Sequence, residues 1–134
     1  HEHEHEHEHE HVHHDHSLLF STWYYRHDSP LSIQAVRRFM ERLPVGIFRA
    51  KGFVFLHEMP ERRGILQMTG SRGSVTIGSA WEEETPHTEL VFIGEPGAID
   101  PTELEESLRR CRPGQTNTTR DLLEDITEWV RQLY

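Results

Sequence analysis

The chain has 134 residues, a formal net charge of −9 and a single cysteine. That length suits one domain with an ordinary core plus a tail, and one thiol excludes an internal disulfide framework or a Cys-rich zinc site. Residues 1–16 carry −6, and the rest sets 14 basic against 17 acidic residues, so the body is near neutral and has no basic patch for a nucleic-acid backbone. No apolar run approaches the ~20 residues of a membrane helix, and no signal peptide opens the chain. With the lone cysteine, these features imply a reducing, cytoplasmic setting and neither a nucleic-acid nor a membrane partner.

The chain opens on HEHEHEHEHEHVHHDH, which holds nine of its twelve histidines. In an extended chain the period of two puts His1, His3, His5, His7, His9, His11 and His13 on one side, with the glutamates opposite; His14 and His16 close the tract. Imidazole and carboxylate both bind zinc, and imidazole also suits nickel and copper. With no core to fix the ligands, binding should be multi-site, moderate and exchangeable, and should weaken on acidification through the imidazole pKa of about 6.5. A polar spacer would not need nine histidines. An affinity tag is the competing reading; against it, the alternation breaks into HVHHDH and runs directly into strand residues.

The body begins with SLLFSTWYYRHDSP, where Leu19, Trp23 and Tyr25 alternate and β-formers dominate, the pattern of a strand ending before Pro30. SPLSIQAVRRFMERLP then changes period. Ile33, Val36, Phe39, Met40 and Leu43 share a helix face, with Ser29 as N-cap, Pro30 at the first helical position, and Pro44 and Gly46 as stops. GIFRAKGFVFLHE (residues 46–58) is the clearest strand: Phe48, Ala50, Gly52, Val54 and Leu56 on one face, Arg49, Lys51, Phe53 and Phe55 on the other. After a turn at Met59–Arg62, RRGILQMTG returns. SVTIGSAW is a short, weaker strand, and TELVFIG is the apolar run of a central one. DPTELEESLRRC carries Asp100 as N-cap and Pro101 at the first helical position, with Leu104, Leu108 and Cys111 as its stripe. RPGQTNTT links to RDLLEDITEWVRQLY, an amphipathic helix with Leu122, Ile126, Trp129 and Leu133 on one side.

The order β-α-β-β-β-β-α-α predicts an α+β two-layer sandwich: a four- to five-stranded antiparallel or mixed sheet with helices on one face. No phosphate-cradling P-loop and no G-x-S-x-G elbow are present. GSRGS (70–74) reads as a hairpin turn and WEEET as a solvated loop. His27, His57 and His87 are far apart in sequence and read as surface or capping residues, and Cys111 as a small core residue.

The stretch FSTWYYRHDSPLSIQAVRRFMERLPVGIFRAKGFVFL resembles the start of the C-terminal domain of the CobW family. There an aromatic strand ending in arginine (here Phe20–Arg26) leads through proline to a helix and then to a strand of the G-I-F-R-A-K-G-F type (Gly46–Phe53). TELVFIGE (Thr88–Glu95) and LEESLRRC (Leu104–Cys111) match the family's later strand and closing helix, so the resemblance covers roughly 17–112. Members are P-loop GTPases that deliver or insert zinc or cobalt, often with a His-rich stretch between the GTPase domain and this domain. The resemblance therefore implies a piece of a longer protein: a His-rich metal segment over 1–16, a CobW C-terminal-like domain over 17–112, and a linker with a helix over 113–134. It implies a binding and coupling domain that is not itself an enzyme, with GTP handled only by the domain absent here. Zinc, or else cobalt or nickel, would be the metal, and the partners would be an upstream GTPase domain and a client metalloprotein. Because Arg49, Lys51, Phe53 and Phe55 mix cations with aromatics on one strand face, they are the candidate interdomain contact. Two alternatives are a metal-buffering protein and a tagged protein-interaction domain with no metal role.

Overall fold

The computed structural model describes residues 19–114 together with 126, 127, 130 and 131. The His-rich segment 1–16 and most of the expected helix over 120–134 lie outside the described residues. Within residues 19–114, five strands and two helices follow one another: β1 (Ser21–His27), α1 (Ile33–Glu41), β2 (Ile47–Phe55), β3 (Arg62–Thr69), β4 (Arg72–Ala80), β5 (Thr88–Gly94) and α2 (Pro101–Arg109). The strands form one open sheet in the order β1-β5-β2-β3-β4, every pair antiparallel. This is the expected α+β fold, and TELVFIG lies inside the sheet between β1 and β2. The weakest predicted strand is nine residues long and begins at Arg72, so only Gly70 and Ser71 make the β3–β4 turn.

One face of the sheet is the core. Tyr25, Ala50, Val54, Leu66, Met68, Leu90 and Phe92 pack with Val36 and Phe39 of α1 and Leu104 and Leu108 of α2 in a single cluster. Cys111 joins it, as expected, and burial pushes its thiol pKa up to about 12.

Two local expectations are corrected. The first helix starts later than Ser29 and Pro30, at Ile33 with Ser32 in the capping position. Leu31 is held extended because its N–H donates to the Phe55 carbonyl and its carbonyl accepts from the His57 N–H, an isolated parallel bridge to Leu56 with both side chains fully buried. Ser32 gives no side-chain cap; the Glu58 carboxylate, from the turn after β2, accepts from the Ile33 N–H instead. Second, Phe48 is not on the core face but 41% exposed. The register against β5 shifts between Ile47 and Arg49, a bulge that sends Ile47 inward in its place. At α2 the cap is as read: the Asp100 carboxylate accepts from the N–H groups of Thr102 and Glu103.

Candidate functional site

Both described helices pack on the core face, so among the described residues no helix covers the opposite face of the sheet. Cross-strand register arranges it in rows. One runs Tyr24, Val91, Lys51, Gln67, Ser74; the next Thr22, Ile93, Arg49, Thr69, Arg72; a third Arg26, Glu89, Phe53, Ile65, Thr76. Neighbours in a row are about 5 Å apart, so the cations of β2 stand directly beside apolar side chains of β5. Tyr24, Phe53 and Val91 are 52%, 39% and 36% exposed, an apolar patch that runs from the edge strand β1 across the interior strands β5 and β2. Arg49, Lys51 and Arg72 are exposed, and among the described residues none has a carboxylate within ion-pair distance. The structure therefore brings three of the four candidate contact residues, Arg49, Lys51 and Phe53, to one open surface; Phe55 shares the face but is half-buried.

Sequence reading missed what flanks them. Arg63 of β3 lies over the Phe53 ring at 5.6 Å and over the Trp81 ring at 4.9 Å. Its guanidinium also donates to the Ala80 carbonyl at 2.6 Å and pairs with Glu84. One side of Phe53 is thus fixed by a clamped cation. At the β5 end, the Tyr24 hydroxyl donates to Glu89 at 2.5 Å, and the other carboxylate oxygen lies 3.2 Å from His87 Nε2. The His87 Nδ1 faces the Thr85 carbonyl at 2.9 Å. The hydrogen bond from Tyr24 is the main reason the Glu89 carboxyl titrates below its usual range, and the same bond, facing a carboxylate, raises the Tyr24 phenol. Replacing Glu89 with Gln should let Tyr24 ionise at lower pH than in the parent chain, read at its ring carbon by NMR; an unchanged titration would show the hydrogen bond absent in solution.

The three body histidines do not converge. His87 is buried against Trp81, His27 sits between the Ser29 N–H and Arg112, and His57 is exposed. Among the described residues no group of three or more His, Cys, Asp or Glu side chains is placed to hold a metal ion. No helix of the described residues is long and apolar enough to cross a membrane.

Residues 20–112 match the sequence model of the cobalamin synthesis protein cobW C-terminal domain. The chain belongs to the CobW family. Among solved structures, this CobW chain is similar to the Zn(II)-bound YjiA GTPase from E. coli, with 26% identity and a TM-score of 0.60 over 69% of its own length. A Zn(II)-bound triple mutant of the same GTPase gives 26% identity and 0.59. In both cases the match covers 30% of the other chain. No curated protein sequence matches. The stretch that carried the resemblance, Arg49–Phe53, gives the open face its Arg49, Lys51 and Phe53, with Ala50 and Gly52 turned to the core side.

Proposed function

We propose that this chain is the binding and coupling domain of a CobW-like, GTP-dependent metallochaperone acting in the cytoplasm. In this reading the open sheet face docks an upstream GTPase domain or a client metalloprotein, and the segment 1–16 captures exchangeable metal for delivery. GTP hydrolysis belongs to the upstream domain. The observation that carries the reading is the sheet face itself: two cations, Arg49 and Lys51, without an ion-pair partner among the described residues, set among exposed Phe53, Val91 and Tyr24 on strands within the family match. Interfaces combine an aromatic centre with charges that steer approach in just this way. Zinc as the cargo is supported by the zinc-bound GTPase to which the chain is similar and by the imidazole and carboxylate chemistry of residues 1–16.

The test is association with a separately expressed CobW-type GTPase domain. Arg49→Glu with Lys51→Glu should leave the fold intact, since both side chains are exposed, and should slow association by ten-fold or more while removing most of its salt dependence. Unchanged on-rates and salt response would return both residues to an ordinary solvated face.

A further inference from the structure

β4 is an edge of the sheet, and among the described residues no strand lies on its outer side. Edge strands are normally guarded by charge, by proline or by being short. β4 is nine residues long, has no proline, and carries one charge, Arg72, at its first position. We propose that this edge pairs with the same edge of a second copy of the chain, antiparallel and centred on Val75.

Which backbone groups of β4 are free follows from its neighbours. The Gly70 N–H donates to the Phe48 carbonyl. Backbone groups alternate in direction along a strand, so Gly64, Leu66 and Met68 also face β2, while Ile65, Gln67 and Thr69 face β4. Their partners Thr76, Ser74 and Arg72 are therefore bonded inward. Gly73, Val75 and Ile77 turn their N–H and C=O groups outward, where they meet no loop or other element among the described residues. Gly73, Ser74, Thr76 and Ile77 are exposed. The register shift between Arg62 and Gly64 lies beyond Ile77, so the edge is regular from Arg72 to Ile77.

The edge is complementary to itself, which is why a second copy is the occupant. With Val75 at the centre, Val75 faces Val75 and each Gly73 faces an Ile77, so every outward residue meets an outward residue. Each such pair exchanges two hydrogen bonds, about six in all. Centring on Ser74 or Thr76 would set an outward residue against the turn or the irregular end of the strand. Side chains agree with the Val75 register. On the core side Ile77 is 40% exposed. Opposite it the copy's Gly73 has no side chain to obstruct it, and the Met40 sulfur lies 3.3 Å from where a Cβ would stand, an apolar neighbour for Ile77. On the open face Ser74 stands against Thr76, a hydroxyl pairing that favours antiparallel neighbours. Arg72 falls opposite Gly78, which keeps the two arginines about 20 Å apart along the strands. The contact is one strand wide, so the dimer is a transient one, half-formed at a protein concentration on the order of 100 µM.

Sedimentation equilibrium on the full 134-residue chain tests this, with a chelator present so that the histidines of residues 1–16 cannot link copies through metal. The parent chain should dimerise reversibly. Ser74→Lys with Thr76→Lys sets lysine against lysine at both open-face pairs and should weaken dimerisation about ten-fold or more. Ser74→Lys with Thr76→Glu sets opposite charges at the same pairs and should bring it back to the parent level or above. Both side chains are exposed, so circular dichroism should show each variant folded. In hydrogen exchange on the parent chain, the amides of Gly73, Val75 and Ile77 should slow as protein concentration rises, while those of Arg72, Ser74 and Thr76 stay protected throughout. A monomer up to about 1 mM, dimerisation indifferent to the paired lysines, no restoration by the lysine–glutamate pair, or outward amides insensitive to concentration would each overturn the proposal.

Discussion

Gly52→Ala is expected to cost about 4 kcal/mol or more, enough to unfold much of a domain of ordinary marginal stability. Gly52 sits at mid-strand in β2 with a φ of +152°, a backbone setting that L side chains rarely adopt. A Cβ there would stand 1.9 Å from the Glu89 carbonyl oxygen, 2.9 Å from its carbon and 3.0 Å from the Leu90 Cα. All three are backbone atoms of β5, so no side chain can swing away. The two central strands would have to part at the point where Gly52 pairs with Leu90. Gly70→Ala is the control: its φ is +60°, nothing lies within 4 Å of the added carbon, and the cost should be only ~1 kcal/mol of left-handed backbone strain. Urea unfolding followed by circular dichroism separates the two. Equal midpoints for both variants would mean that the strands yield more easily than this close approach implies.

Gly52 also shows how far the sequence could be read. Alternation placed it correctly on the inner face between Ala50 and Val54, and the motif around it matched the family. Its real constraint, the nearness of β5, comes from a strand 36 residues away and leaves no local trace. The same division runs through the fold. Asp100 followed by Pro101 is a local capping signal, and α2 begins where it says. The apolar run Leu90–Ile93 reads as an interior strand because both its neighbours are strands. Ser29 and Pro30 looked equally local, yet the bridge from Leu31 to Leu56 and the Glu58 cap moved the helix start by three residues. Phe48 changed face through a bulge that only its pairing with β5 defines.

The candidate face was legible in part for the same reason. Arg49, Lys51 and Phe53 lie on one strand, where period two suffices to group them. Arg63 reaches Phe53 and Trp81 from β3, and the Tyr24–Glu89–His87 chain crosses from β1 to β5. Such groupings are set by strand order, and strand order β1-β5-β2 departs from chain order. An open, mixed-charge face was therefore foreseeable, but the clamp that fixes its aromatic was not.

Removing residues 1–16 should abolish multi-site zinc binding while leaving the body's fold unchanged. The full chain should take up on the order of three zinc ions, since nine imidazoles and six carboxylates supply about four ligands each for that number, with some left over. The truncated chain should take up almost none, because the described body holds no convergent group of three ligands. Competition against a zinc-binding dye gives the stoichiometry of each. The sign with pH follows from the ligand: a protonated imidazole has no lone pair for metal, and the neighbouring glutamates favour the protonated form. Binding is therefore full above the ordinary histidine range and is lost as pH falls from about 7 toward 5. Chelation should leave the melting of the full chain unchanged, because the cluster around Phe92 and Leu66 is apolar and contains no metal ligand beyond a buried thiol held protonated. If the truncated chain kept its zinc, or the chelated chain unfolded, a structural site would have to exist in the body, and the reading of 1–16 as a capture segment would fall.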